Sequence, residues 1–192
     1  YIQAESAYRQ ALLFGDDNSA NHLALIQVLT EQKKYRQAEV LLQSQLSKKT
    51  HSSKLWIIGA QLKLYLGERE EAAVQLESAR RLGALDTSGT LLLADLYFEQ
   101  QLHQQALNIY LQITKLNKTP AKRQMHIIQA YMQRGLLKEA LILFEQLKSS
   151  ELSVEENLRY QTLLAAYKNR QGMKKEALDI LTQLLEQKPL DD

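Results

Sequence analysis

Six alanines recur along this chain at Ala4, Ala38, Ala72, Ala106, Ala140 and Ala177, the first four intervals being 34 residues and the last 37. A fixed period of this length means repeated supersecondary units, each too small to bury its own apolar face and each dependent on its neighbours. The same pattern surrounds every alanine. Tyr8, Leu42, Leu76, Tyr110, Phe144 and Leu181 stand four residues later, and Ala11, Gln45, Ala79, Ile113, Leu147 and Leu184 stand seven later. Offsets of four and seven share one face of an α-helix.

In the complete repeats a further helix precedes each alanine. Leu93, Ala94, Tyr97 and Phe98 mark one, and Ile127, Ile128, Tyr131 and Met132 mark the next, 34 residues on. Gly67, Gly135 and Gly172 each lie five residues before an alanine, where a helix end needs a left-handed residue. The unit is therefore helix, tight turn, helix. Helix starts are signalled by Thr119-Pro120, read as N-cap and first helical residue, and by the capping-box pair Ser153 and Glu156. Asn18 or Ser19, Ser52 or Ser53, and Asp86 or Thr87 are the matching caps upstream. These signals divide the chain into a lone second helix within 1–18 and repeats at 19–52, 53–86, 87–120, 121–157 and 158–190. The longer last interval is expected to arise from added residues in the loop Ser149–Glu155 and at the final helix turn.

Composition narrows the chemistry. Twenty-four Lys and Arg oppose 22 Asp and Glu, leaving a net charge of +2, which lacks the basic excess a phosphate backbone demands. With no cysteine there is no disulfide or thiolate chemistry, and the compartment stays undetermined. His22, His51, His103 and His126 fall in different repeats without the spacing of metal ligands. Glu70-Glu71 and Glu155-Glu156 sit at helix starts, where carboxylates favour the macrodipole. There is no Gly-rich phosphate loop, nucleophile elbow or zinc motif. No enzyme, cofactor, metal or small-molecule substrate is expected. The basic cluster Lys115, Lys118, Lys122 and Arg123 reads as a solvated loop edge, with a phosphate or acidic-partner site as the alternative.

The repeat resembles the tetratricopeptide repeat (TPR), a 34-residue helix–turn–helix unit. With Ala72 at repeat position 20, Trp56 falls at position 4, Ala60 at 8, Gly67 at 15 and Ala79 at 27. The next repeat places Ala94 at 8, Tyr97 at 11, Ala106 at 20 and Tyr110 at 24, and the last places Ala165 at 8, Gly172 at 15 and Pro189 at 32. There are departures. Lys33 and Gln101 occupy position 15, and Lys63 and Lys168 occupy position 11. The repeat 19–52 matches least, with His22 at 4, Ile26 at 8 and Gln45 at 27, and is expected to pack more loosely. The resemblance implies an all-α fold, a right-handed α-α superhelix of about 11 antiparallel-paired helices, over the whole chain.

The resemblance also implies function. TPR arrays hold a partner protein or peptide in a concave groove lined by the first helix of each repeat. Carried onto this chain, that groove comprises Leu23, Gln27, Lys54, Ile57, Gln61, Tyr65, Leu91, Asp95, Phe98, Lys122, Met125, Gln129 and Gln133. Glutamine can both donate to and accept from a peptide backbone, and the Leu, Ile, Phe and Met side chains supply apolar pockets. For Leu64, Phe98 and Met132, packing between adjacent first helices competes with a binding role. The Lys and Asn clamp by which one subclass grips a C-terminal carboxylate is absent: the positions read Leu23 and Gln27, Ile57 and Gln61, Leu91 and Asp95. A protein-interaction scaffold within a larger protein is the leading expectation. A structural arm on an enzyme or on an envelope or secretion assembly machine is the alternative, with nucleic-acid or anionic-polymer binding behind both. The lone helix Ile2–Leu13 and the start at Tyr1 are consistent with a segment of a longer chain and with self-association through that helix.

Overall fold

The computed structural model describes residues 1–14, 19–48, 52–113, 119–148 and 151–187. Asn18, His51, Lys115, Lys118, Ser149 and Pro189, named above, lie outside the described residues. The described chain is all-α. Its eleven helices are α1 (Ile2–Leu13), α2 (Ser19–Glu31), α3 (Tyr35–Lys48), α4 (Ser53–Tyr65), α5 (Arg69–Arg81), α6 (Thr87–Glu99), α7 (His103–Ile113), α8 (Ala121–Gln133), α9 (Leu137–Lys148), α10 (Val154–Arg170) and α11 (Lys174–Gln187). None of them is long and apolar enough to cross a membrane.

The helices gather into two compact units, residues 1–96 and 97–192. In the first, α2 packs on α1 and α3, α4 on α3, and α5 on α4. In the second, α8 packs on α7, α9 and α10, and α11 on α10. The repeated alanines occupy the densest places. Ala38, Ala72, Ala106 and Ala140 have no exposed surface, and a small side chain there lets helix axes approach closely. Gly59 on α4 shows how close that approach is. A Cβ there would lie 2.6 Å from Gln75 Oε1 on α5 and 3.2 Å from Leu42 Cδ2 on α3. The large residues four positions after the alanines fill the seams: Leu42, Leu76, Tyr110 and Phe144 are each buried, while Leu181 on α11 is 42% exposed. Each such burial stabilises the fold by roughly 1.5–3 kcal/mol.

The looser packing expected of 19–52 is not found. Leu25, Ile26, Leu29, Ala38, Leu42 and Leu46 form one buried cluster with Leu55 and Leu62. Gln45 is buried as well, although its Nε2 has no hydrogen-bond partner.

The turn between paired helices is one motif used repeatedly. Gly67 and Gly135 adopt φ of 77° and 73°, and the flanking N–H groups bond back to the helix end, Gly67 to Leu64 and Glu68 to Lys63, Gly135 to Met132 and Leu136 to Tyr131. Lys33 and Gln101 hold the same conformation, with φ of 60° and 62° and the same pair of return bonds. A side chain with a Cβ costs roughly 1–2 kcal/mol there. Lys33→Gly and Gln101→Gly are each expected to raise stability by about 0.5–1 kcal/mol, the remainder being offset by the freer unfolded glycine. Urea midpoints check this; an unchanged or lower midpoint would contradict it.

The departures at position 11 also have a physical account. Lys63 Nζ lies 2.5 Å from both Glu39 Oε1 on α3 and Glu68 Oε2 at the N-cap of α5. Arg36 bonds the same two glutamates, at 3.0 and 2.5 Å. Those cations hold the Glu39 and Glu68 carboxyls below the usual range, Lys63 being the largest influence on both. Lys168 likewise pairs with Glu176 at 2.8 Å. In each case a cross-helix ion pair stands where an aromatic ring is usual.

Caps follow the sequence in part. Ser153 and Glu156 form the full capping box, Ser153 Oγ accepting from the Glu156 N–H at 3.2 Å and the Ser153 N–H donating to Glu156 Oε2 at 3.0 Å. Asp86 Oδ1 accepts from the Gly89 N–H at 2.7 Å. Thr119 is not the N-cap of α8. Pro120 takes that place without a side-chain bond, and the Thr119 carbonyl accepts from Gln124 Nε2 at 2.7 Å.

Candidate functional site

The first unit carries a hollow of about 530 Å³ between the exposed sides of α2 and α4. α2 contributes Leu23, Ala24, Gln27, Thr30 and Glu31, spaced by one helical turn, and α4 contributes Lys54, Ile58, Gln61 and Tyr65 in the same spacing. Leu23, Ala24 and Ile58 are half-buried and make an apolar floor, while Gln27, Gln61, Glu31 and Lys54 are exposed. Thr30 Oγ1 donates to the Ile26 carbonyl at 2.8 Å, so its hydroxyl is held by its own helix. The Tyr65 ring stacks on Tyr35 at a centroid distance of 5.0 Å and an interplanar angle of 8°, yet Tyr65 remains 60% exposed.

Of the residues assigned to a groove from sequence, this hollow brings together Leu23, Gln27, Lys54, Gln61 and Tyr65. Ile57 lines a neighbouring hollow of about 440 Å³ with Gln61, Leu64, Leu76, Leu85 and Leu92. Lys122 and Met125 border a third, in the second unit, of about 400 Å³, opposite Glu155, Glu156 and Arg159. Leu91 and Asp95 are half-buried on α6 and belong to none of these hollows. Gln129 is half-buried on α8, and Gln133 Oε1 accepts from an Arg170 guanidinium nitrogen at 3.5 Å.

Two of the expected groove residues are core instead. Phe98 is 6% exposed and Met125 is fully buried. Phe98 stacks on His126 at 4.1 Å and 9°, and its ring lies 4.9 Å from that of His103. Met132 is buried too, whereas Leu64 remains half-buried at the hollow it lines. The cause is the packing of neighbouring helices in the second unit, which encloses side chains that a single-helix pattern assigns to the surface.

Sequence spacing missed the contributions of Ala24 and Ile58, each one residue along the helix from an assigned position. It also missed Tyr35, whose place at the start of α3, just after the Lys33 turn, sets it behind Tyr65. A further hollow of about 510 Å³ lies on the side formed by α1, α2 and α3, lined by Leu25, Leu29, Val40 and Leu41 and edged by Arg9 and Arg36. Val40 remains largely exposed at this hollow.

Solved structures with this architecture are TPR proteins. The TPR protein YrrB, described as having an unusual peptide-binding site, is similar over 97% of this chain and 95% of its own, with a TM-score of 0.71 and 14% identity. MamA is similar over 84% of this chain and 93% of its own, with a TM-score of 0.60 and 15% identity. A chain of the Naa15/Naa10 complex bound to HypK-THB matches 92% of this chain with 27% of its own, at a TM-score of 0.63 and 18% identity. No protein-family model matches the sequence, and no curated protein matches it at a significant level. The chain has the tetratricopeptide-repeat fold, a helical-repeat scaffold of paired antiparallel helices.

Proposed function

We propose that the chain is a protein-interaction scaffold and that the hollow between α2 and α4 takes a segment of a partner polypeptide. The observation that carries this reading is the lining itself. Two exposed glutamines, Gln27 on α2 and Gln61 on α4, line the hollow beside an apolar floor of Leu23, Ala24 and Ile58. An amide can donate to a backbone carbonyl and accept from a backbone N–H, so two amides lining a shallow trough suit an extended peptide. The apolar floor gives one or two hydrophobic side chains a place out of water. YrrB, of like fold, is described as having a peptide-binding site, which is consistent with this use.

The test is a peptide-display selection on the full chain, followed by titration of the selected peptides against Gln61→Ala and Tyr65→Ala. Losing the amide contact or the exposed ring is expected to weaken binding about fivefold to thirtyfold, with no change in the urea midpoint for Gln61→Ala and a loss of about 0.5–1.5 kcal/mol for Tyr65→Ala, which also gives up the stack on Tyr35. Peptides that bind both variants as well as they bind the unaltered protein would move the site elsewhere.

A further inference from the structure

The hollow is polar in the sense of having two unlike ends, and this deepens the reading just proposed, on which it rests. α2 and α4 run in the same direction, since α3 turns back on α2 at Lys33 and Tyr65 at the end of α4 stacks on Tyr35 at the start of α3, beside the end of α2. Glu31 and Tyr65 therefore stand together at one end, and Lys54 stands at the other. Neither Glu31 nor Lys54 forms an ion pair among the described residues, although Glu5, Glu39, Glu68 and Glu77 nearby are all engaged by cations.

The end with Glu31 suits a guanidinium. Tyr65 offers an exposed ring face, held flat by Tyr35 behind it, and an arginine side chain stacks on such a face. The Glu31 carboxylate supplies the opposite charge and two acceptors for the fork of N–H donors. Both groups lie at helix C-termini, where the macrodipole also favours a cation. Lys54 lies in the first turn of α4, where the macrodipole favours an anion.

The length between the ends follows from helix geometry. Glu31 lies eleven residues beyond Ala20, and Tyr65 eleven beyond Lys54, which at about 1.5 Å per residue is roughly 16 Å. An extended chain covers that span in about five residues. We infer that the hollow selects an extended peptide bearing an arginine and, about five positions away, an acidic residue, with small or apolar residues between them.

Four pools of end-capped heptapeptides test this on the full chain by fluorescence anisotropy. One carries arginine and glutamate five positions apart with random apolar and small residues between. The second has citrulline, a neutral isostere, for the arginine. The third has glutamine for the glutamate. The fourth has both neutral replacements. The arginine–glutamate pool is expected to bind about tenfold more tightly than the citrulline pool, and Glu31→Gln is expected to remove that difference while leaving citrulline binding unchanged. Lys54→Gln should do the same for the glutamate preference. Equal binding of all four pools, abolished by Gln61→Ala, would overturn the inference and leave the peptide groove standing. Binding indifferent to Gln61→Ala and Tyr65→Ala, or none by any pool, would overturn both.

Discussion

Phe98→Ala is expected to destabilise the protein by about 3–5 kcal/mol, the usual cost of emptying a buried aromatic site. Phe98 stacks on His126 and lies tilted against His103. His126 is itself buried, with its Nδ1 3.4 Å from the hydroxyl of the fully buried Tyr110. The truncation would thus leave a cavity walled by two imidazoles and would open one of them to incoming water. His103 is already desolvated there: burial, and then the neighbouring His126, lower its pKa. Urea denaturation followed by circular dichroism measures the loss. A midpoint near that of the unaltered protein, together with weakened peptide binding, would return Phe98 to the binding surface where the repeat pattern places it.

Ala72→Leu carries the second largest effect, a loss of about 1–3 kcal/mol from overpacking. Ala72 has no exposed surface, and α5 lies so close to α4 that even a Cβ on Gly59 would crowd Gln75. Three added carbons have no empty space to enter, so the α4–α5 pair must separate or the leucine must leave its rotamer. Because both helices belong to the unit with the hollow, a displaced α4 would shift Gln61 and Tyr65 against α2, and peptide affinity should fall alongside stability. Thermal or urea unfolding with no measurable shift would show that the recurring alanine is not a point of close approach.

Much of the architecture was legible because a solenoid repeats its local rules. The alanine spacing, with the apolar residue four positions on and, in three repeats, the glycine five positions before, pointed to paired helices, and the described residues form such helices in succession. Where glycine is missing, the turn persists: Lys33 and Gln101 take positive φ because the helices on either side dictate it. Local signals were weaker at the caps. Thr119 offers a good capping hydroxyl, yet Pro120 holds the position and the Thr119 carbonyl serves Gln124 instead.

Periodicity by itself determined that this chain is a helical repeat, because a 34-residue period with a small residue at each crossing leaves no other way to bury the apolar faces. The resemblance to the tetratricopeptide repeat, rather than the period alone, named Leu23, Gln27, Lys54, Gln61 and Tyr65, which one hollow gathers. Only the tertiary structure decided which first-helix residues face solvent. Phe98 and Met125 share the repeat pattern of exposed positions but are enclosed by the helices packed around them, and Tyr65 is held as a platform by a tyrosine thirty residues away. The physical reason is that helical spacing fixes a side chain's direction from its own axis, whereas its burial depends on what the neighbouring helices bring against it.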